Sequence, residues 1–330
     1  MERANLLDSW LRQQFPHDDF QLTPASSDAS FRRYFRLQRE QGTHIVMDAP
    51  PSQEDCRPFI KVAHLLEDAG VHVPHIHAEN LQDGFLLLSD MGSRTYLDEL
   101  NEGTAGGLYH DATDALIKIQ LASRANVLPE YDAQLLLREM RLFPEWYVGK
   151  HKAYTLDDDQ KNLLDRIFAL LISNALAQPK VYVHRDYHSR NLMVSEPNPG
   201  ILDFQDAVYG PLTYDLVSLW KDAYIQWDEE QVLDWLIRYW EKARKAGLPV
   251  SQDIYELYRD FEWMGIQRHL KVLGIFARLY HRDGKDGYLK DLPLVLDYVR
   301  KAAKRYDALS PLLHLLDAIE NTSNDVGFTF

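Results

Sequence analysis

One loop of the sequence combines the residue types that phosphoryl transfer requires. His184-Arg185-Asp186 is followed, after four intervening residues, by Asn191, and a short apolar run then leads to Asp203-Phe204. Transfer of a phosphoryl group needs a carboxylate beside the attacking hydroxyl and oxygen ligands for the cation that neutralises the phosphates. Asp186 is therefore the candidate base. Asn191 and Asp203 are candidate Mg²⁺ ligands, because this hard cation prefers oxygen.

The same loop also permits a zinc site. His184 and His188 are four positions apart and flank Asp186. Zinc in proteins usually takes three or four side-chain ligands, and a third ligand is not evident from the sequence around this loop. The sequence favours the phosphoryl-transfer interpretation and leaves zinc as its alternative.

Short apolar runs separated by turn-forming residues predict a small sheet in the first part of the chain. Three antiparallel strands are expected within residues 20–49, and two more at residues 73–78 and 84–90. A helix is expected between the third and fourth strands, where Ser52 and Asp55 resemble a capping box. These elements predict a five-stranded α+β unit.

Helical periodicity dominates on both sides of this unit. A short docking helix precedes it, since Leu7 and Leu11 recur at helical spacing before Pro16. Beyond residue 91 the pattern is mainly helical, including a helix expected over residues 132–148, and a strand-like interlude at residues 181–204 interrupts it. The chain is therefore expected to divide into residues 1–90 and residues 91–330.

Composition excludes several classes of function. Lys and Arg number 36 and Asp and Glu number 50, so the formal net charge is −14 and a nucleic acid or an anionic membrane surface is not an expected partner. The one cysteine, Cys56, forms no internal disulfide, and neither a signal-like start nor a membrane-length apolar run is evident. A cytoplasmic protein with no obligate protein partner is expected.

The loop and the elements around it resemble the aminoglycoside phosphotransferase family, whose members are related to protein kinases. The resemblance runs from about residue 20 to about residue 300. It implies a two-lobed, protein-kinase-like α+β fold with a small five-stranded antiparallel N-lobe that carries one helix and a larger, mainly helical C-lobe. It also implies ATP and Mg²⁺ as cofactors.

The resemblance implies further residue roles. Asp90 and Met91 fall in the linker whose backbone meets adenine in that family, and Met193 and Leu202 fall where it lines the base pocket. Ser30 ends the turn expected to cover the phosphates. Asp215 lies in a segment whose aspartate braces the catalytic loop.

Two departures from the family pattern stand in the first lobe. The turn at residues 26–30 lacks glycine, and the third strand lacks the lysine that kinases place against the phosphates. Either Arg33 or Arg36 is expected to replace that lysine, or the chain has lost activity. Strand alternation puts Arg33 on one face and Arg32 with Arg36 on the other, but it does not show which face meets the nucleotide.

Substrate-binding residues are expected in the C-lobe. Arg268 and Lys271 share one face of a predicted helix, which indicates either an anionic group on the substrate or an ordinary solvated helix face. His188 and Asp206, which lie close in sequence to the candidate carboxylates, are further candidates for substrate contact.

A narrower resemblance rests on two segments, the lysine-free residues 47–51 and the basic residues 267–276. Both are similar to those of the bacterial anomeric kinases that act on N-acetylmuramate and N-acetylglucosamine in cell-wall recycling. This implies a small-molecule sugar substrate phosphorylated at C1, with Arg268 or Lys271 against the lactyl carboxylate. The alternatives are a kinase for another small hydroxyl compound, such as an aminoglycoside, choline or homoserine, and a non-catalytic nucleotide-binding module.

Overall fold

The computed structural model describes residues 2–27 and 31–322 of the 330-residue chain. It divides into two compact units, neither of which is a continuous stretch of sequence. The first unit comprises Met1–Ile119 and Arg190–Asp206, and the second comprises Gln120–Ser189 and Ala207–Phe330. Within the described ranges, no helix has both the length and the apolar composition that crossing a lipid bilayer requires.

The first unit contains the five-stranded antiparallel sheet that the sequence predicts. Its strands occur in the order β1-β2-β3-β5-β4, and every neighbouring pair is antiparallel. The strands are β1 (Phe20–Ser27), β2 (Arg33–Arg39), β3 (Gly42–Asp48), β4 (Ile76–Asn80) and β5 (Phe85–Ser89).

Helix α1 (Glu2–Gln14) covers one face of this sheet, as expected for a docking helix. Leu7, Trp10 and Leu11 of α1 are buried in a cluster with strand residues that include Leu37 and Phe85. Since side chains alternate along a strand, the face of β2 that carries Leu37 points towards α1. Tyr34 and Arg36 therefore belong to the opposite face.

The remaining elements of the first unit are helical except for one short hairpin. The helices are α2 (Arg57–Asp68), α3 (Tyr96–Glu99) and α4 (Ala105–Leu121). The hairpin strands are β7 (Leu192–Met193) and β8 (Gly200–Ile201), which follow β6 (Lys180–Val183) of the second unit in the chain. Backbone hydrogen bonds from Val194 N–H to the Arg94 carbonyl and from Ile201 N–H to the His72 carbonyl fix this hairpin to earlier segments. The boundary expected after residue 90 therefore does not coincide with the division into compact units.

The second unit is mainly helical and is organised around one long helix, α9, which is buried along most of its length. Asp253 caps the start of α9 by accepting a hydrogen bond from Tyr255 N–H, and Gly284 ends it in the left-handed conformation. The helices are α5 (Ala133–Met140), α6 (Asp158–Ala177), α7 (Tyr214–Trp220), α8 (Glu229–Ala246), α9 (Ile254–Asp283), α10 (Leu292–Arg305) and α11 (Pro311–Thr322). A two-stranded antiparallel ribbon joins β6 (Lys180–Val183) to β9 (Val208–Pro211).

Some boundaries differ from the sequence-based expectation. The predicted helix over residues 132–148 is α5 followed by a separate π-helix, Phe143–His151, because Pro144 lacks the N–H that a continuous helix would need. A 3₁₀ helix, Asp286–Asp291, likewise precedes α10. The predicted capping box was wrong: α2 begins at Arg57, and its N-cap residue, Cys56, makes no side-chain capping hydrogen bond.

Helix α9 closely approaches the chain just before the π-helix begins. A Cβ atom on Gly274 would lie 2.4 Å from the carbonyl carbon of Leu142 and 2.5 Å from its oxygen. Glycine is therefore required at this position, because backbone atoms cannot yield as the end of a flexible side chain does.

Replacing Gly274 should consequently destabilise the protein. We expect Gly274→Ala to lower the free energy of unfolding by about 1–3 kcal/mol, the usual cost of overpacking. Gly265→Ala on the same helix is the matched control, because the nearest atoms to its Cβ lie 3.9 Å away and alanine favours helices by up to about 1 kcal/mol. Urea denaturation midpoints measure both changes, and equal midpoints for the two variants would contradict the close approach.

Candidate functional site

A cleft of about 480 Å³ lies in the first unit. Its volume is within the range of small-ligand sites. Four of the residues expected to contact a nucleotide line it, namely Asp90, Met91, Met193 and Leu202. The other lining residues are Ala25, Tyr34, Arg36, Ile45, Phe59, Pro74, Leu88, Ser89, Gly92, Ser93, Thr95, Arg190, Asn191, Asp203 and Phe204.

Asp90 anchors the linker that borders the cleft. Its carboxylate accepts hydrogen bonds from Arg36 Nε at 2.7 Å, from Arg36 Nη2 at 3.1 Å and from Gly92 N–H at 2.9 Å. Burial raises the pKa of Asp90, but the hydrogen bonds from Arg36 and Gly92 outweigh it and leave the pKa below its usual value. The linker is thus fixed to strand β2 by a carboxylate that stays ionised at neutral pH.

The β7–β8 hairpin brings Asn191 and Asp203 together at the cleft. Leu192 pairs with Ile201, and Leu202 N–H donates to the Asn191 carbonyl at 2.9 Å. The Asn191 side-chain amide is consequently 3.4 Å from one oxygen of Asp203, while Gln205 donates to the other oxygen at 2.8 Å. Asp203 has φ +62°, a conformation that non-glycine residues rarely adopt outside functional sites.

This donor set fits Mg²⁺. Asn191 and Asp203 both carry hard oxygen donors, although it is the side-chain nitrogen of Asn191 that lies 3.4 Å from Asp203 here, and Mg²⁺ commonly uses only one or two protein ligands and completes its shell with phosphates and water. Throughout residues 2–27 and 31–322, no three His, Cys, Asp or Glu side chains are grouped so as to hold a metal ion by themselves. The zinc alternative at His184, Asp186 and His188 therefore finds no support.

The arginines of strand β2 have different surroundings. Arg33 lies on the face opposite the cleft lining and donates to Asp48, which also accepts a hydrogen bond from Arg3 at 2.7 Å. Arg36 lines the cleft, bound to Asp90. Ser30, the other predicted phosphate contact, lies outside the described residues.

Arg32 is the residue that sequence reasoning missed. Its guanidinium approaches to 3.9 Å of an Asp203 carboxylate oxygen, and its side chain is only 11% exposed. Strand alternation placed Arg32 on the same face as Arg36, so the signal was present in the sequence. What was absent was the knowledge that α1 covers the other face of the sheet.

In the second unit, Asp186 lies in the loop that follows strand β6. Asp215, at the start of α7, accepts hydrogen bonds from His184 N–H at 2.7 Å and from Arg185 N–H at 3.0 Å, as the resemblance implies for a bracing aspartate. Burial raises the pKa of Asp215 to about 7, although these two hydrogen bonds oppose the rise. Arg185, the residue before Asp186, has φ +77° and therefore a left-handed backbone conformation.

Positive charge surrounds Asp186. Arg268 and Lys271 of helix α9 are 4% and 5% exposed. The alternative prediction, that they lie on a solvated helix face, was therefore wrong. Burial alone would raise the pKa of Asp186, but Lys271, Arg268, His188 and Arg185 together hold it well below its usual range. A carboxylate in this state remains ionised and ready to accept a hydrogen bond.

The last two predicted substrate residues are in different units. His188 lies two residues beyond Asp186, donates its N–H to the Asp186 carbonyl at 3.0 Å and packs its ring against Tyr224. Asp206 is exposed and is the last residue of the first unit.

Replacing one carboxylate oxygen of Asp215 by an NH₂ group should destabilise the protein. In Asp215→Asn, one carboxylate oxygen becomes an NH₂ group that faces a backbone N–H, so a buried donor loses its acceptor. We expect a loss of about 1–3 kcal/mol in the free energy of unfolding, measured by urea denaturation. Asp228→Asn is the control, because Asp228 is exposed and its side chain makes no capping hydrogen bond. Equal stabilities for the two variants would contradict this role of Asp215.

Comparisons of the whole chain agree with this geometry. A profile of the Phosphotransferase enzyme family matches residues 21–248. A protein from Pseudomonas putida named N-acetylmuramate/N-acetylglucosamine kinase is 54% identical over 299 residues, which cover 91% of this chain and 88% of the relative. A protein of the same name from Neisseria meningitidis is 49% identical over 336 residues and is aligned along the whole of both chains.

Solved structures show the same fold at low sequence identity. An ADP-bound aminoglycoside phosphotransferase, APH(2'')-Ib, aligns with a TM-score of 0.58 at 16% identity, covering 89% of this chain and 97% of that chain. The choline kinase LicA from Streptococcus pneumoniae aligns with a TM-score of 0.65 at 11% identity, covering 91% of this chain and all of that chain. The two-lobed, protein-kinase-like α+β fold is thereby confirmed.

Proposed function

The chain belongs to the Phosphotransferase enzyme family, and from this premise we propose that it transfers the terminal phosphoryl group of ATP to the C1 hydroxyl of N-acetylmuramate or N-acetylglucosamine. The observation that carries the proposal is the identity of about half of all aligned residues to relatives named for these two substrates. Because the alignment with the Neisseria meningitidis relative spans the whole chain, the aligned region includes the loop of Asp186 and the long helix α9.

Asp186 is the proposed base. The C1 oxygen attacks the γ-phosphorus, the bond from that phosphorus to the oxygen bridging it to the β-phosphate breaks, and ADP leaves. The proton of the hydroxyl passes to Asp186 and then to solvent. An anomeric hydroxyl is more acidic than an ordinary alcohol, so a carboxylate of low pKa suffices to orient it and to accept its proton late.

The cleft of the first unit is the proposed ATP site. The apolar side chains of Met193 and Leu202 suit a flat heterocycle, and the linker at Asp90 and Met91 supplies backbone groups beside it. Asn191 and Asp203 would hold Mg²⁺, which neutralises charge on the phosphates when bound. Arg32 is proposed to take the place of the lysine that strand β3 lacks.

The acceptor is tested by supplying Mg-ATP with N-acetylmuramate, N-acetylglucosamine, kanamycin or choline and following ADP release. We expect turnover with the two amino sugars and a product that loses phosphate in mild acid, as 1-phosphates of sugars do. Release of ADP with kanamycin or choline alone would identify a different acceptor for the same fold. Nucleotide binding without any turnover would favour a non-catalytic module.

Replacing Asp186 by asparagine separates its role from nucleotide binding. The amide cannot accept the proton, so kcat should fall by roughly 10²–10⁴-fold, the range typical of a positioned base. Affinity for Mg-ATP, measured by calorimetry, should change little. Asp203→Asn is the comparison variant, in which Mg²⁺-dependent ATP binding should itself weaken. Unchanged turnover in Asp186→Asn would remove Asp186 from the mechanism.

The proposed phosphate contact of Arg32 has a matched control one residue away. Loss of a sheltered charge-assisted hydrogen bond costs about 1.5–3 kcal/mol, so Arg32→Met should raise the KM for ATP by about tenfold or more. In Arg33→Met the KM should stay within about twofold, because Arg33 lies on the other face of the strand and is half-exposed. The reverse order of effects would assign the phosphate contact to Arg33.

A further inference from the structure

Five side chains of the second unit form a buried polar cluster beside the catalytic loop. Its members are Glu139 of α5, Arg185 of the loop, Tyr214 of α7, and Arg268 and Lys271 of α9. We call this set the loop cluster. Arg185 is the most exposed member, and its side chain is only 18% exposed.

Lys271 has its hydrogen bonds within the protein. Its Nζ atom lies 3.2 Å from a carboxylate oxygen of Glu139 and donates to the Tyr214 hydroxyl at 3.0 Å. Its side chain is 7% exposed. A substrate carboxylate would have to displace these acceptors and desolvate itself, so the ammonium is poorly placed to discriminate between sugars.

Arg268 holds the loop itself. Its Nη1 atom donates to the carbonyl oxygen of Arg185 at 2.8 Å and to the Tyr214 hydroxyl at 3.3 Å. The same atom lies 3.8 Å from the nearer carboxylate oxygen of Asp186. One guanidinium group therefore contacts both the left-handed residue of the loop and the carboxylate that follows it.

We infer that Arg268 and Lys271 are positioning residues that hold the loop and the charge of Asp186, and that they do not bind the lactyl carboxylate of the sugar as the sequence predicts. This inference rests on the proposed function in so far as Asp186 is the base. Arg268 acts directly, through the Arg185 carbonyl and its distance to Asp186. Lys271 acts through Tyr214 and Glu139.

The ionisation of Asp186 depends on groups from three segments. Arg268 and Lys271 face it from α9, Arg185 and His188 from its own loop, and Asp215 from α7. The four cationic or potentially cationic groups lower its pKa, while Asp215 and burial act in the opposite direction. Removal of one cation should therefore raise the pKa of Asp186. As the pH is lowered, the variant should then lose activity at a higher pH than wild type does.

The experiment measures kcat/KM for N-acetylmuramate and N-acetylglucosamine in wild type, Arg268→Met and Arg268→Lys from about pH 2.5 to pH 8, a range that extends below the ordinary aspartate pKa of about 3.9. Circular dichroism at each pH checks that the protein stays folded. In Arg268→Met we expect a loss on the order of 10²-fold on both sugars, as for a reacting group misplaced by about 1 Å. The acid limb of its profile should move up by about one to three pH units. The ratio between the two sugars should stay within about twofold of wild type.

Arg268→Lys keeps the cation but loses the planar group that reaches the Arg185 carbonyl. We expect its kcat/KM to fall while its acid limb stays near that of wild type, and this variant preserves the test if Arg268→Met does not fold. Arg259→Met on the same helix is the control, because Arg259 is exposed and pairs only with Asp260 among the contacts of the described chain. It should match wild type in rate and profile.

Two results would overturn the inference. A selective loss with N-acetylmuramate, with N-acetylglucosamine unaffected, would assign Arg268 to the sugar carboxylate. An equal loss on both sugars with no movement of the acid limb would assign it a structural role without influence on Asp186. If wild type phosphorylates neither sugar, the proposed function fails separately, and the acid limb is then measured with the acceptor that wild type does use.

Discussion

The carboxylate of Glu139 allows two cations to be buried beside the loop that carries Asp186. Transfer of an ammonium or guanidinium group out of water costs several kcal/mol, and a nearby anion with good hydrogen-bond geometry must offset it. Glu139 accepts hydrogen bonds from Arg185 and Tyr131 and lies 3.2 Å from Lys271. The burial of Arg185 and Lys271 depends on this one charge, and these are two of the cations that act on Asp186.

Two aspartates near the same loop have opposite electrostatic surroundings. Asp215 accepts hydrogen bonds from two backbone N–H groups, and burial dominates its pKa. Burial also acts to raise the pKa of Asp186, but four cationic or potentially cationic groups outweigh it. Pairs of titratable groups whose surroundings separate their pKa values in this way are typical of sites that divide structural and chemical roles between two carboxylates. The proposed base is thus distinguished from its brace by neighbours rather than by residue type.

Local sequence was sufficient for the sheet and the family resemblance for much of the cleft, whereas distant pairing was visible in neither. Met193 and Leu202 were assigned to the base pocket by the resemblance, and the structure places both at the cleft, beside the paired strands β7 and β8. Arg268 and Lys271 appear in the sequence as charges at helical spacing, which usually indicates a solvated face. Only the fold shows that Glu139, in a remote segment, makes the burial of Lys271 possible.

The interleaving of the two compact units bears on the order in which the protein is made. The sheet emerges early, but Asn191, Asp203 and the hairpin that holds them complete the first unit only after residue 206 has been synthesised. Residues 120–189 of the second unit emerge before that point. About 70 residues of the second unit are therefore synthesised between the two parts of the first unit, which is complete only after they have emerged. A protein expressed only as far as the end of α4 would contain the five strands of the sheet and lack the proposed metal ligands.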